Sequence, residues 1–100
     1  MNILSRTPTF DRWFATVNDP IAKARITRRL QQVEHGNFGD CESVGEGVSE
    51  MRIHVGAGWR VYFVRRGEVV YLLLCGGNKK TQTRDIEQAK QLARHLENGS

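Results

Sequence analysis

The chain opens on a weak alternation, "NILSR" (2–6), which predicts a short strand. Thr7 and Pro8 follow as an N-cap and a first helical residue. Phe10, Trp13, Phe14 and Val17 then recur at i, i+3, i+4 and i+7, the apolar stripe of a helix. A single stripe is what a helix buries, so these aromatics read as core rather than as a platform for stacked bases. "NDP" (18–20) repeats the cap-then-proline order, and Ala22, Ile26, Leu30 and Val33 line a second helix. Its other face carries Lys23, Arg25, Arg28, Arg29 and Gln32. The short link predicts a helical hairpin. "HGNFGDCESVGEG" (35–47) follows, and its four glycines predict a long loop.

From Val48 the period changes to two. Met51, Ile53 and Val55 point one way, and Glu50, Arg52 and His54 the other. After the "GAG" bend (56–58), Trp59, Val61 and Phe63 alternate with Arg60, Tyr62 and Val64. "RRGE" (65–68) supplies a second turn, and "VVYLLLC" (69–75), apolar on both faces, predicts a central strand. Ile86, Ala89, Ala93 and Leu96 mark a last helix, opened by Asp85 and Glu87 and closed by Arg94 and His95 as the helix dipole favours. The order β, αα, βββ, α predicts an α+β fold. A helical hairpin and a C-terminal helix pack on one face of a mainly antiparallel sheet, and the other face is left open. Trp13, Phe14, Leu30, Val33, Met51, Ile53 and Val55 are the expected core.

A chain of 100 residues is one domain, spanning 1–100. No apolar run reaches the roughly 18 residues of a membrane span. "MNILSR" lacks the apolar stretch of a signal peptide, so the expected compartment is cytoplasmic, with no membrane partner. Cys41 and Cys75 are the only cysteines and lack metal-ligand spacing. They read as idle thiols in a reducing compartment, and no metal or other cofactor is expected.

Lysine and arginine number 15 against 11 acids, a net charge of +4. Placement matters more than the total. Lys23, Arg25, Arg28 and Arg29 share one stretch, and Arg52, Arg60, Arg65, Arg66, Lys79, Lys80 and Arg84 crowd the second half. Such a surface fits a polyanion, most simply nucleic acid. A merely solvated, arginine-rich surface fits the charge equally well.

If the hairpin closes in its simplest register, Arg52, His54 and Arg60 share the outer sheet face. Lys79 and Lys80 lie in a glycine-led loop that enters a helix, and a helix N-terminus favours anions. "GGNKKTQ" is not a P-loop, because no second spaced glycine precedes a Lys-Ser/Thr pair. His35, His54 and His95 are scattered, and Glu50 stands alone on the hairpin face, so neither a metal site nor a carboxylate pair is drawn. What remains is cationic chemistry, such as RNA cleavage by a neighbouring 2′-hydroxyl. That reaction needs a proton acceptor, a donor to the leaving 5′-oxygen and positive charge on the crowded phosphorane. Arginine forks onto phosphate oxygens, histidine exchanges protons near neutrality, and lysine can steady the leaving oxygen. The residue pattern alone reaches a small basic α+β domain, with nucleic-acid binding and a solvated basic surface both left open.

"VSEMRIHVGAGWRVYF…YLLLCGGNKKTQTRDIEQAKQLA" resembles the RelE/ParE toxin superfamily, most closely the HigB-like branch of phage-derived or addiction-module killer proteins. That branch carries a run like V-x-E-L-R-I-x-x-G-P-G-Y-R-V-Y, then L-L-x-G-G-D-K-x-x-Q-x-x-D-I-x-x-A. Both motifs occur here in order over residues 48–93, after a helical hairpin that fits the family. Arg52, Arg60 and Lys79 fill the motif cations, and Gln82, Asp85 and Ile86 also match. Ala57, Trp59 and Asn78 depart from it without removing a charge.

The resemblance implies a RelE-like fold and the toxin of a type II toxin–antitoxin system. Most such toxins are metal-independent endoribonucleases that cut messenger RNA in the ribosomal A site and inhibit translation. The implied partners are a cognate antitoxin of the helix-turn-helix, HigA-like kind, the messenger and the ribosome. The ParE branch inhibits DNA gyrase instead, and a non-catalytic nucleic-acid-binding module is the third reading. Arg60, Lys79, Arg52 and His54 are the expected catalytic residues, and Lys80, Arg65, Arg66 and Arg84 the expected RNA contacts. Several family nucleases use a tyrosine or histidine near the chain end. Here that region has no tyrosine, and His95 lies within the last helix.

Overall fold

A computed structural model describes residues 1–99, with the side chains of residues 98 and 99 left aside. The elements run β1 (Ile3–Arg6), α1 (Pro8–Thr16), α2 (Pro20–Glu34), β2 (Cys41–Gly45), β3 (Val48–Ile53), β4 (Trp59–Arg66), β5 (Val70–Gly77), a 3-10 turn (Lys79–Thr81) and α3 (Gln82–Gly99). They form one α+β unit around a five-stranded sheet of order β1-β5-β4-β3-β2. Every neighbouring pair is antiparallel except β1 with β5.

The helical hairpin forms where capping and periodicity predict it. The Thr7 hydroxyl accepts from the Phe10 backbone amide, and the Asp19 carboxylate accepts from Ile21 and Ala22. These caps satisfy amide groups that a helix start otherwise leaves unpaired. Ala22, Ile26, Leu30 and Val33 are buried, with Phe10 and Val17, against Met51, Ile53, Val61, Phe63 and Leu73. Trp13, Phe14 and Val55 are half-buried at the margin of this core.

The sheet does not leave its other face open. Val48, Tyr62, Val64, Leu74 and Cys75 form a second core there, capped by Ala89 and Ala93 of α3. The expectation of helices on one face is therefore corrected: α1 and α2 cover one face and α3 the other. The cause is β4 and β5, which carry apolar side chains both ways and need cover on both sides. Between Tyr62 and Phe63 the β4–β5 register slips. Leu74 is the extra residue, and the bulge turns it and Cys75 to the α3 side.

The predicted loop over 35–47 also needs correction. Cys41–Gly45 forms an edge strand, with Cys41 opposite Met51 and Glu42 opposite Glu50. Arg29 secures the segment before it by donating to the carbonyls of Phe38, Asp40 and Arg52. That arginine is thus a strut between α2 and the sheet rather than a free surface cation.

Candidate active site

The β3–β4 hairpin closes in the expected register, so Arg52 stands opposite Arg60. Gly56 and Gly58 take positive φ values of 56° and 75° in the bend, a conformation that a side chain resists. The bend touches the turn after β5. Lys79 N–H donates to the Ala57 carbonyl at 3.4 Å, and a Cβ on Gly58 would lie 3.4 Å from Lys79 Cβ. This contact draws His54, Arg60 and Lys79 around one cleft of about 380 Å³, with the 55–58 bend as its wall.

The cations differ in freedom. Lys79 is exposed at the rim. The Arg60 side chain is only 12% exposed, which corrects the open position expected for it. Its Nη1 donates to the Gly58 carbonyl at 3.1 Å. Its Nε lies 3.4 Å from Glu50 Oε2, a contact of charges without hydrogen-bond alignment. Arg52 is tied on two sides, donating through Nε to Glu50 at 2.9 Å and through Nη2 to Glu42. Both acids raise its pKa further, and its guanidinium does not face the cleft as a free charge.

Glu50 was expected to stand alone, yet it is fully buried at the centre of a polar cluster. Its carboxylate accepts from Arg52, from the Tyr62 hydroxyl at 3.0 Å and from Gln82 Nε2 at 2.9 Å. Burial pushes its pKa up. Bonds from Gln82, Arg52 and Tyr62, with the charge of Arg60, outweigh that, and the net direction is down. The same burial, with the charge of Glu50, pushes Tyr62 upward, so its phenol stays a donor. Burial also pushes the Cys75 thiol up to about 12 and raises Cys41, so neither is a ready nucleophile.

His54 is exposed, and its Nε2 lies 2.5 Å from Asp40 Oδ2. That bond holds the Asp40 carboxyl below its ordinary value, against slight desolvation, and the charges of His54, Arg52 and Arg29 add to it. A carboxylate on one ring nitrogen orients an imidazole and leaves Nδ1 to exchange protons.

The expected RNA contacts divide. Lys80 and Arg84 are exposed on the turn and the first coil of α3, and neither lines the cleft itself. Arg65 is folded onto the carbonyls of Gly67 and Glu68, and Arg66 onto the carbonyl of Ala93. Both sit at the far end of β4, roughly 17–20 Å along the strand from Arg60, and the structure does not bring them to the cleft. Among the described residues no three His, Cys, Asp or Glu side chains gather as a metal site needs. No helix there is long and apolar enough to cross a membrane.

Residues 12–96 match the family described as "Phage derived protein Gp49-like (DUF891)". The chain belongs to the Gp49-like phage-derived family. A relative from Haemophilus influenzae, itself described only as an uncharacterized protein, is 46% identical over 93 residues, 93% of this chain and 94% of its own. No solved structure matches the chain. The Gp49-like family is RelE/toxin-like, in keeping with the phage-derived branch that the motifs resemble.

In this Gp49-like fold the two motifs are halves of one construction. Glu50 of the first accepts from Gln82 of the second. The glycine pair of the second is a packing requirement. A Cβ on Gly76 would stand 2.4 Å from the Trp13 ring, and one on Gly77 would stand 1.7 Å from Asp85 Oδ2. Asp85, buried beside Gly77, accepts from the Thr81 hydroxyl and so anchors the turn that carries Lys79. Two members of the candidate site, Asp40 and Glu50, escaped the sequence reading. Nothing periodic marks Asp40. Glu50 is signalled only by its place in a motif with Arg52.

Proposed function

We propose that the protein is the toxin of a type II toxin–antitoxin system. It acts as a ribosome-dependent endoribonuclease that cleaves messenger RNA in the A site and inhibits translation. One observation carries the reading: Arg60, Lys79 and His54, the last bonded to Asp40, border a single cleft. Those groups match what 2′-hydroxyl attack requires. The RelE/ParE motifs and membership of a phage-derived family support it.

In the proposed reaction the 2′-oxygen bonds to phosphorus as the bond to the 5′-oxygen breaks. His54 Nδ1 takes the 2′-hydroxyl proton, with Asp40 stabilising the imidazolium that forms. The Arg60 guanidinium bears the added charge of the phosphorane, and the Lys79 ammonium supplies a proton to the departing 5′-oxygen. The products are a 2′,3′-cyclic phosphate and a 5′-hydroxyl end. Arg52 holds Glu42 and Glu50 rather than the phosphate. Lys80 and Arg84 guide the strand. A cognate antitoxin, acidic where it meets the cleft, completes the pair.

The gyrase-inhibitor alternative draws on one feature. Glu50 faces both hairpin arginines, so less charge reaches the cleft than their number implies. The test is purified protein on programmed ribosomes, with cleaved messenger ends mapped, beside an assay of gyrase-dependent DNA breaks. Cut messenger ending in a cyclic phosphate is the expected result. Intact messenger with accumulated DNA breaks would replace this reading with the gyrase one.

A further inference from the structure

We propose that Glu50 is the positioning residue of the cleft: it holds the Arg60 guanidinium on one side and the base of the Lys79 turn, through Gln82, on the other. This rests on the reading of the cleft as a nuclease site. Glu50 does not itself meet substrate, because its side chain is wholly buried and both oxygens already accept donors.

Three observations lead there. The first is where the carboxylate lies. It shares this sheet face with the second core: Tyr62 stands directly opposite it, and Val48, Val64 and Cys75 belong to the same cluster. Burying a charge among apolar side chains is unfavourable, and a packed apolar residue often serves stability as well or better. A carboxylate in this place therefore points to geometry as its role.

The second is how Arg60 is held. Nη1 is fixed by the Gly58 carbonyl and Nε faces Glu50, while Nη2 makes no hydrogen bond among the described residues. A guanidinium restrained at two nitrogens presents the third edge in a set plane. Arginine's rigid fork makes that plane decisive for a phosphate.

The third is the link to Lys79. Gln82 closes the 3-10 turn that carries Lys79 and begins α3. Its amide donates to the same Oε2 that faces Arg60. One oxygen thus relates a residue of β4 to the turn after β5. Misplacing reacting groups by about 1 Å can lower a rate by about hundredfold, so loss of this link should appear in turnover before it appears in binding.

The experiment compares Glu50→Gln, Glu50→Asp, Gln82→Met and Arg60→Ala in the full chain, with two readouts. One is kcat and KM for cleavage of ribosome-bound messenger. The other is the ¹⁵N–¹H signal of Arg60 Nε, which does not depend on activity, recorded beside a melting curve. In wild type that signal is expected to be resolved and protected from exchange. Glu50→Gln should move it to the position of the free arginines and lower kcat about hundredfold, with KM little changed. Glu50→Asp, which keeps the charge, should recover part of both. Gln82→Met leaves the carboxylate in place and decides the matter if Glu50→Gln fails to fold; it should lower kcat about tenfold or more.

An unmoved Arg60 signal with wild-type kcat in folded Glu50→Gln, or wild-type kcat in folded Gln82→Met when the first is unfolded, would overturn the proposal. If those variants cleave normally while Arg60→Ala is inactive, only the positioning role falls. If Arg60→Ala itself cleaves normally, the cleft reading falls, and the Nε signal still reports whether Glu50 holds that side chain.

Discussion

Arg52 and Arg60 stand directly opposite each other on β3 and β4, with the buried carboxylate of Glu50 between their charges. Like charges in a cross-strand pair repel and destabilise a sheet. Glu50 converts the repulsion into a three-membered cluster. Glu50→Ala should therefore lower unfolding free energy by about 3–5 kcal/mol, the loss expected when a buried charge cluster loses its centre. Urea denaturation measures it, and a loss near zero would mean that the arginines relax into solvent without penalty.

The same carboxylate sets a dependence on acid. An ordinary glutamate titrates near 4.5, and in the folded chain Glu50 titrates lower. The folded state then binds fewer protons than the unfolded one, so its contribution is complete above the ordinary value and disappears as pH falls through the lowered one. Stability should drop between about pH 5 and pH 2, and Glu50→Gln should flatten that limb. Urea midpoints across the range give the answer, and parallel curves for the two proteins would refute the assignment.

Lys79 and Arg60 separate rate from stability. Lys79 is exposed, so Lys79→Ala should change stability by less than about 0.5 kcal/mol while lowering the cleavage rate that the proposed mechanism assigns to it. Arg60→Ala should reduce cleavage about hundredfold or more. It should also destabilise the fold by about 1–3 kcal/mol, since it removes a charge that faces a buried acid. On the proposed reading, in which both cations act on one phosphate, the double variant should be less than additive in rate. Cleavage on programmed ribosomes and melting curves for the three variants supply the comparison.

Glycines offer a contrast in kind. Gly67 has φ 77° and nothing near its absent Cβ, so Gly67→Ala should cost about 1–2 kcal/mol of backbone strain. Gly77→Ala places a methyl on Asp85 and should cost more than the 1–3 kcal/mol, roughly, of ordinary overpacking. It should also loosen the Lys79 turn. Chemical denaturation ranks the two, and equal losses would remove the steric account of the glycine pair.

Periodicity made much of the fold legible. Ile26, Leu30 and Val33 lie inside as their spacing requires, and Met51 and Ile53 point away from Arg52. Cross-strand partners were less visible. Cys41–Gly45 is a strand because β3 offers it a hydrogen-bonding edge, while its own glycines and acids argue for a loop. The two-sided apolar run in β5 implied cover on both faces, yet the alternation of charges on β3 drew attention to an open one. Glu50 looked like a surface acid because α3, which brings Gln82 to it, covers that sheet face only in the fold, and His54 looked isolated because its partner is Asp40. Local pattern contains neither relation. The motif resemblance placed Arg60 and Lys79 together, which composition and period did not.

The parallel pairing of β1 with β5 bears on the order of folding. Ile3 to Arg6 align with Val70 to Leu73, so the first strand has no partner until nearly three quarters of these residues have been made. Contacts so distant in sequence slow folding, and β4 meanwhile offers an unpaired edge. Lys79 and Gln82 come later still. A nascent chain therefore carries Arg60 and His54 before it can seat the other half of the cleft, so the candidate site is assembled only once β5 and the turn after it have docked.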